Sequence, residues 1–454
     1  MFNKTLWILA YLLAAVVIAA GTILLVAYGN GYSYNFKAGR LVRNGLVIFE
    51  TLPNGASVQV DGRVVKHKTP YRKTFEAGTY KFVLKKEGYR SWQKDIRMVA
   101  SEVSLHQYIL LLPDKFESEP IVTHESIGRS AASPDRRRLA YTVVSGPEAG
   151  LWVMDTGNKS RLKAYALQPA AEGTGIETVE ELQWSKDNSH ILVKSVYSGK
   201  PRYLMVAANG SDPAINITDQ LKFDFASLTM NPSNWRELYW MSPEGLRRID
   251  LSAQTISAVI AQHAAAFAPA DDKVIYIDTS TPSPTLQSVD RGGQRRIILK
   301  QLTAGSRYQL ATGSFRGEVQ IGILVDSNLW VVKNALRDKK TRLALAGVDG
   351  MLFSPEGRFI STAAGNRLVT YDIEKSQVWQ FESASAAPSN VAWLSEYYLL
   401  YVRDGHTIIS EYDGANAASL GPASGLVHGT GDSKEVIISE QLNGRHQLSA
   451  IGIR

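Results

Sequence analysis

The 454-residue sequence predicts an all-β protein behind a single N-terminal transmembrane helix, with a small β module followed by a repeated β domain. Three observations predict this fold class. Residues 6–28 form an uncharged apolar run, and residues 45–113 alternate in hydrophobicity between Gly, Pro and Asn turns. Beyond residue 120, a polar turn before a hydrophobic strand recurs about every 42 residues, a period typical of repeat folds.

Composition and charge exclude several classes of protein. Hydrophobic residues are 44% and charged residues 20%, as in a chain that folds. Because cysteine is absent, disulfides, thiolate catalysis, Cys-ligated zinc and iron–sulfur clusters are excluded. Residues 1–113 hold 15 Lys and Arg against 6 Asp and Glu, whereas the remaining 341 residues hold 35 against 37. A basic segment before a near-neutral remainder does not indicate a nucleic-acid partner.

The apolar run predicts a membrane anchor after a stub of residues 1–5. From Leu6 to Tyr28 no residue is charged, and a helix of this length crosses a bilayer core of about 30 Å. Trp7 and Tyr28 lie near its ends, where aromatic rings favour the membrane interface. A cleaved signal peptide and a buried soluble helix are the alternatives. The run is longer than the usual signal-peptide core of about 7–15 residues and has no polar face, so we expect an uncleaved anchor.

The charges around the anchor leave its orientation open. Lys4 lies on one side, and Lys37, Arg40 and Arg43 lie on the other, in a predicted juxtamembrane linker over residues 29–44. Counting charges alone would keep the C-terminal part in the cytoplasm. However, long domains cross the membrane largely regardless of charge, and a five-residue stub gives little to count.

Residues 45–113 predict a small β module from ordered turn and strand signals. A turn at Pro53-Asn54-Gly55-Ala56 precedes the hairpin signal Val58–Gly62, in which Asp-Gly follows alternating hydrophobics. Thr69-Pro70, Gly78-Thr79-Tyr80 and Gly88-Tyr89 follow in order.

This series resembles the PEGA domain, in which a Glu stands where this chain has Asn54. The resemblance implies a β-sandwich-like module, typical of envelope proteins of prokaryotes and without known chemistry. The matching residues are therefore expected to serve the fold, with Gly for turns, Pro for a fixed φ and Tyr for the core. They are Pro53, Gly55, Ala56, Asp61, Gly62, Pro70, Gly78, Tyr80, Gly88 and Tyr89.

The same module concentrates the basic residues of the chain. One interpretation is a solvated face that keeps the module soluble. The other is contact with an anionic surface, either lipid headgroups or an acidic wall polymer, where each Lys or Arg contributes about 1 kcal/mol. The residues expected to make such a contact lie in turns or at strand ends: Lys66, Lys68, Lys85, Lys86 and Arg90.

After a predicted linker over residues 114–120, residues 121–454 repeat a turn and two strands. The clearest turns are Ser133-Pro134-Asp135, Ser185-Lys186-Asp187 and Ser354-Pro355-Glu356-Gly357. Weaker copies are Met230-Asn231-Pro232, Phe267-Ala268-Pro269-Ala270-Asp271, Ser314-Phe315-Arg316-Gly317, Trp393-Leu394-Ser395 and Gly431-Asp432-Ser433. Units of this length with several short strands indicate a β-propeller. Eight blades are predicted, or seven if Ser314-Phe315 does not start a blade.

The repeats resemble the TolB-type and WD-repeat-like propellers, in which a Ser-Pro-Asp-Gly turn precedes the second strand of each blade. The resemblance implies a closed ring with a central channel. The last unit lacks a strand, which Pro120–Thr123 would supply. We expect the turn Asp residues to cap backbone N–H groups rather than to catalyse. Trp184, Trp393 and Phe353 recur at one phase and are expected to pack between blades.

No motif for catalysis, metal or cofactor binding is found. The eight His residues form no His-x-x-x-His pair, and there is no Gly-x-Ser-x-Gly elbow or Walker loop. We expect a non-enzymatic cell-envelope protein that presents its propeller to a protein or wall polymer. A propeller-type glycan lyase or hydrolase and a cytoplasmic-facing scaffold are the alternatives. Because both modules usually work outside the membrane, we expect a single-pass membrane protein with residues 30–454 extracytoplasmic.

Overall fold

The N-terminal apolar run forms α1 (Lys4–Gly29) in the computed structural model of the chain. Its segment Trp7–Ala27 is long and apolar enough to cross a membrane, and Trp7 is 58% exposed. The side chains of Leu6 and Tyr28 lie outside the described residues, which are 4–29, 32–35, 39–169, 175–270, 272–333, 335, 340–382, 388–422 and 425–454. The chain divides into unit 1, Met1–Lys115 with Arg454, and unit 2, Phe116–Ile453.

Unit 1 continues after α1 with eight strands in two four-stranded sheets. Within its described residues they are β1 (Tyr32–Asn35), β2 (Arg40–Leu52), β3 (Ser57–Val60), β4 (Arg63–Lys68), β5 (Tyr71–Glu76), β6 (Gly78–Lys85), β7 (Trp92–Met98) and β8 (Val103–Leu110). One sheet, the β2 sheet, pairs β2 with β1 and β5 antiparallel and with β8 parallel. The other, the β6 sheet, has the order β4-β3-β6-β7.

The two sheets enclose one apolar core. Phe49 of β2 and Phe82 of β6 are fully buried, and their ring centroids lie 4.9 Å apart in an edge-on contact. Trp92 of β7 packs on Phe49 from the same side at 5.8 Å. Alternate residues of β2 are buried along its length, as expected of a strand with one face on a core.

The sequence predicted a linker over residues 29–44, but this segment contains β1 and the start of β2. Tyr32 pairs with Arg43 and Asn35 pairs with Arg40 across a hairpin. The Arg43 guanidinium also lies 5.1 Å from the ring centroid of Tyr32. The hairpin is only four residues long on each side and mixes polar, basic, aromatic and apolar residues, so composition gives no clear signal for it.

The first strand of unit 2 is β9 (Ser118–His124), so the last three residues of the predicted linker 114–120 belong to a strand. Sheet 1 follows with β10 (Ile127–Ala132), β11 (Arg138–Val143), β12 (Gly150–Asp155) and β13 (Arg161–Tyr165). Sheet 2 contains β14 (Thr178–Trp184), β15 (His190–Tyr197), β16 (Lys200–Ala207) and β17 (Ile215–Asn216), after which comes α2 (Ile217–Leu221). Sheet 3 contains β18 (Leu228–Asn231), β19 (Asn234–Ser242), β20 (Gly245–Asp250) and β21 (Thr255–Ile256).

Five further sheets continue the pattern. Sheet 4 contains β22 (Ala264–Ala270), β23 (Lys273–Asp278), β24 (Thr285–Asp290) and β25 (Ile297–Gln301). Sheet 5 contains β26 (Tyr308–Phe315), β27 (Glu318–Val325), β28 (Asn328–Lys333) and β29 (Lys340–Ala346). Sheet 6 contains β30 (Leu352–Phe353), β31 (Phe359–Ala364), β32 (Arg367–Asp372) and β33 (Gln377–Glu382). Sheet 7 contains β34 (Ser389–Trp393), β35 (Tyr398–Arg403), β36 (His406–Glu411) and β37 (Ala418–Pro422). The last strands are β38 (Val427–Gly429), β39 (Glu435–Leu442) and β40 (Arg445–Gly452).

Over its described residues, unit 2 therefore contains eight four-stranded antiparallel sheets, each built from consecutive strands except the last. In sheet 8 the order is β38-β39-β40-β9, so β9, the first strand of unit 2, is the fourth strand of its last sheet. Leu448 of β40 pairs with Val122 of β9. The first strands of neighbouring sheets lie side by side, β10 by β14 and β22 by β26.

The aromatic residues that recur at the same position of each sequence repeat lie between neighbouring sheets. The indole Nε1–H of Trp184 donates to the carbonyl of Ala131 at 2.9 Å, which joins sheet 2 to sheet 1. Trp393 of sheet 7 makes the equivalent bond to Leu352 of sheet 6 at 3.3 Å. Phe353 lies so close to Gly313 of sheet 5 that a Cβ there would be 2.5 Å from its ring, which explains the glycine.

Candidate functional site

The Ser-Pro-Asp turn of sheet 1 is closed by its own side chains. The Ser133 hydroxyl donates to Asp135 at 2.6 Å and accepts from the Arg138 N–H at 3.0 Å. Asp135 also accepts from the Arg137 N–H at 3.0 Å. Pro134 is exposed at the corner of the turn. The carboxylate thus caps the backbone that enters β11.

The turn of sheet 2 has the same hydrogen bonds. The Ser185 hydroxyl donates to Asp187 at 2.6 Å, and Asp187 accepts from the Ser189 N–H at 3.0 Å. Burial acts against the charge, but hydrogen bonds from Ser185 and Ser189 hold the pKa of Asp187 below its usual value. In sheet 8, Thr430 takes the place of the serine and donates to Asp432 at 2.8 Å.

Sheet 6 borrows its capping carboxylate from sheet 7. Glu396, in the turn between β34 and β35, accepts from the Ser354 hydroxyl at 2.7 Å. It also accepts from the backbone N–H groups of Glu356 at 2.7 Å and Arg358 at 3.0 Å. Burial raises the pKa of Glu396, which is 7% exposed. Pro355 is exposed here, as Pro134 is in sheet 1.

Pro269 does not lie in such a turn. It belongs to β22 and pairs with Val274 of β23. Only residues 271 and 272 separate the two strands, and Asp271 lies outside the described residues. The first strand of a sheet is an edge strand, where a residue without an N–H is tolerated. The sequence spacing predicted a longer turn than the chain has at this position.

The PEGA-like residues occupy turns and core positions of unit 1. The Asp61 carboxylate accepts from the Lys81 N–H at 2.9 Å, and Gly62 has a φ of +80°, which suits a glycine. Ala56 is fully buried, and the partly buried Tyr80 contacts Phe75 at 5.1 Å between ring centroids. The other motif residues lie in turns or at strand starts: Pro53, Gly55, Pro70, Gly78, Gly88 and Tyr89.

The five basic residues predicted to contact an anionic surface divide into two groups. Lys66, Lys68 and Lys85 are exposed. Lys68 of β4 and Lys85 of β6 both pair with Ser57 of the strand between them, so their side chains lie on one face of the β6 sheet. They are two strand spacings apart, about 10 Å across the sheet.

The other two bind the module itself. Lys86 Nζ donates to the carbonyl of Asn54 at 2.8 Å. Arg90 Nε donates to the carbonyl of Pro113 at 3.2 Å, and its Nη2 donates to Asp114 at 3.3 Å. Their partners lie far away in sequence, so a pattern of charges could not reveal these bonds.

Unit 2 has an open cavity of about 700 Å³ between the β15–β16 turn and α2. Its walls combine cationic, acidic and aromatic side chains, among them Tyr197, Lys200, Arg202, Asp219, Lys222 and Phe223. Phe223 is 47% exposed, and its ring rests on Trp240 at 5.4 Å between centroids.

A buried carboxylate holds the cavity arginine in place. Glu177 is 1% exposed and accepts from the hydroxyls of Ser195 at 2.5 Å and Tyr165 at 2.8 Å. Burial and the hydrogen bond to Glu177 raise the pKa of Tyr165. Arg202 Nη1 lies 3.7 Å from Glu177 Oε1, and its guanidinium carbon lies 5.0 Å from the Tyr197 ring centroid.

Two histidines lie where sheet 8 meets sheet 1. His124 is 1% exposed, with Nδ1 2.7 Å from Glu148 Oε2. His428 Nε2 lies 3.0 Å from the Ser130 hydroxyl. Burial lowers the pKa of His428 to about 4. No three His, Cys, Asp or Glu side chains of the described residues form a group able to hold a metal ion.

Comparison with known proteins agrees with the two resemblances. Residues 44–109 match the PEGA domain family. The fold is similar to the solved Dos1 propeller, with 14% identity, coverage of 74% of this chain and 94% of that chain, and a TM-score of 0.47. It is also similar to an oligogalacturonate lyase from Vibrio parahaemolyticus, with 11% identity, coverage of 72% of this chain and 98% of that chain, and a TM-score of 0.41. A third similar structure is that of RRP9 WD40 repeats, with 9% identity, coverage of 63% of this chain and 100% of that chain, and a TM-score of 0.41. No curated protein matches the sequence.

The likeness to these structures concerns the fold alone. The successive four-stranded sheets give an all-β chain, with a PEGA match over residues 44–109 and an N-terminal apolar helix. These three predictions from the sequence are confirmed. The cavity was not predicted, since its residues come from separate turns and carry no shared motif.

Proposed function

We propose that this chain is a non-enzymatic, membrane-anchored cell-envelope protein whose propeller binds a protein or a wall polymer through the cavity beside α2. The observation that carries the proposal is the cavity itself. It opens to solvent and offers a guanidinium fixed by Glu177 and Tyr197, with Lys200 and Lys222 at the same walls. Fixed polar groups beside aromatic surface in a concave site are typical of ligand binding.

Three other buried carboxylates support binding over catalysis because they serve the fold. Glu396 caps the turn of sheet 6, and Asp372 pairs with the Arg358 guanidinium at 2.7 Å. Glu237 accepts from Asn231 and Tyr239, each at 2.7 Å. None of these three carboxylates is among the residues that line the cavity.

We also propose that the eight sheets are the blades of one closed ring. Contacts between the last and first sheets support this. Ile437 and Leu448 of sheet 8 share a core cluster with Tyr141 and Met154 of sheet 1. Ring closure removes exposed strand edges, which stabilises an all-β domain.

In this proposal α1 is a single-pass anchor, and the face with Lys66, Lys68 and Lys85 contacts an anionic surface. Replacing these three by Gln should abolish the excess retention of the full chain on acidic over neutral vesicles, and its retention on isolated wall polymer, at low salt. Replacing Lys86 instead should alter stability, because it binds Asn54. Equal retention of the triple variant and the wild type would reject the contact.

The test of binding compares matched charge reversals in the full chain, captured from membranes in detergent. The variant Lys200→Glu/Lys222→Glu changes the cavity, whereas Lys300→Glu/Lys375→Glu changes two exposed lysines on other sheets. We expect a bound protein or polymer to be lost with the first pair and kept with the second. If both variants retain the same material as the wild type, the cavity is not the binding site.

A further inference from the structure

We propose that the cavity between the β15–β16 turn and α2 binds a sugar that carries an acidic group, either a carboxylate or a phosphate, within a glycan. This inference rests on the proposed binding function and names its ligand class. Three features of the cavity carry it: the presentation of Arg202, the mixture of charges in its walls, and the strand edge beside it.

Arg202 supplies the recognition of the acidic group. Its side chain is 19% exposed, and it is held by Glu177 on one side and by the Tyr197 ring on another. The exposed part of this side chain lines the cavity, while its Nε is buried without a hydrogen-bond partner. A planar guanidinium fork matches a carboxylate or a phosphate oxygen pair. A buried carboxylate behind it fixes its direction before any ligand arrives.

The remaining walls suit a hydroxylated ring better than an acidic peptide. Asp219 and Asp224 line the same cavity as the cations. These carboxylates repel a run of acidic side chains, but they accept hydrogen bonds from sugar hydroxyls. The exposed ring of Phe223 offers a flat apolar surface held by Phe225 and Trp240. A sugar ring with one oxyanion and several hydroxyl donors can contact the cations, the carboxylates and the apolar ring of this cavity together.

Strand addition by a peptide is disfavoured at this place. The short β17 pairs only with Leu204 and Met205 of β16, which leaves the start of β16 beside the cavity. That start contains Pro201, which has no N–H to donate to an added strand. The cavity therefore recognises its ligand through side chains rather than through backbone pairing.

The experiment measures binding to the full chain in detergent by calorimetry. The probes are a glucuronate-containing oligosaccharide, a phosphorylated sugar, the neutral oligosaccharide of the same length and poly-glutamate. We expect one or both acidic sugars to bind, and we expect the affinity for the neutral sugar to be lower by about tenfold or more. Losing a charged hydrogen bond typically costs about 10- to 100-fold in affinity, and Arg202→Gln should show a loss of this size.

Matched variants separate binding from folding. Arg202→Lys keeps the charge but not the fork, so it should bind with intermediate affinity at an unchanged melting temperature. Lys300→Gln, on sheet 4, should bind as the wild type does. If Arg202→Gln melts early, Lys200→Gln provides the same comparison from an exposed position.

Four results would overturn the inference. Equal affinity for neutral and acidic sugars would remove the role of Arg202, and a preference for poly-glutamate would indicate an acidic peptide. If no sugar binds but the Lys200→Glu/Lys222→Glu variant still loses the captured partner, the ligand class is rejected and the binding function is kept. No sugar binding and no captured partner would reject both.

Discussion

At Glu396, one side chain completes the turn of the neighbouring sheet, and its removal should leave three donors without an acceptor. These are the Ser354 hydroxyl and the N–H groups of Glu356 and Arg358. We expect Glu396→Ala to lower the free energy of unfolding by about 2–3 kcal/mol, measured by urea denaturation. Glu356→Ala, at an exposed position of the same turn, should change it by no more than about 0.5 kcal/mol.

A second substitution tests the same mechanism in the opposite direction. Glu356 stands where Asp135 stands in sheet 1, but its own turn does not use it as the cap. Glu356→Asp in the Glu396→Ala background should restore a cap within the turn and recover part of the lost stability. A double variant as unstable as Glu396→Ala would mean that packing of Glu396, not its hydrogen bonds, stabilises the turn.

His428 should make the protein sensitive to acid. Burial lowers its folded-state pKa to about 4, whereas an unfolded His titrates near 6.5. The unfolded chain therefore binds this proton first, so the stability contributed by neutral His428 is complete above about pH 6.5 and is lost as the pH falls toward 4. The full loss is about 3 kcal/mol at most. Urea denaturation should show a smaller drop between pH 7 and pH 4.5 in His428→Gln than in the wild type.

The control for this pH dependence is His406→Gln, since His406 is exposed at the start of β36. Its drop between the two pH values should equal that of the wild type. An unchanged drop in His428→Gln would instead place the acid sensitivity on other groups. The buried His124 is the next one to test, because burial also lowers its pKa.

Whether a side-chain contact could be predicted depends on how far apart its two partners lie in the sequence. Ser133 and Asp135 lie in one turn, so their cap follows from turn chemistry. Glu396 and Ser354 are 42 residues apart, and the cap of sheet 6 was therefore missed. The same holds for the cavity, where Glu177 lies just before β14, Arg202 lies in β16, and no spacing links them.

Among the elements, strands with strong hydrophobic alternation were predictable and those paired through polar residues were not. The alternation of Tyr80, Phe82 and Leu84 with neighbouring residues in β6 and the Asp-Gly turn after β3 indicated their structure directly. β1 was assigned to the linker because it is only four residues long and its partner, Arg40–Arg43, has two apolar residues between two arginines. Propensity cannot detect pairing that depends on a nearby second strand.

The strand β9 offers a test of ring closure at the scale of an element. It pairs with β40, and the partly buried Val122 contacts the cluster shared by sheets 8 and 1. A fragment starting at Arg129 should aggregate or melt well below one starting at Asp114, because the edge of β40 loses its partner. In the full chain, Val122→Asp should reproduce the loss, and Thr123→Asp, exposed on the same strand, should not. Equal melting temperatures of the two fragments would reject the closure.

For the whole molecule, the charges beside α1 and the nature of the domains point to opposite orientations. Arg40 and Arg43 follow the helix and Lys4 precedes it, which by itself favours a cytoplasmic C-terminal part. We expect the reverse orientation, since long domains cross the membrane largely regardless of charge and PEGA-like modules are typical of envelope proteins.

The absence of cysteine allows a direct measurement of this orientation, because single introduced cysteines are labelled without background. Ala253→Cys lies on the exposed turn after β20, where a small side chain replaces another. A membrane-impermeant maleimide should label it in intact cells, whereas Asn3→Cys should react only after the membrane is opened. Protease added to intact cells should likewise remove the propeller. If labelling follows the opposite pattern, the propeller faces the cytoplasm, and a scaffold for soluble partners replaces the envelope function.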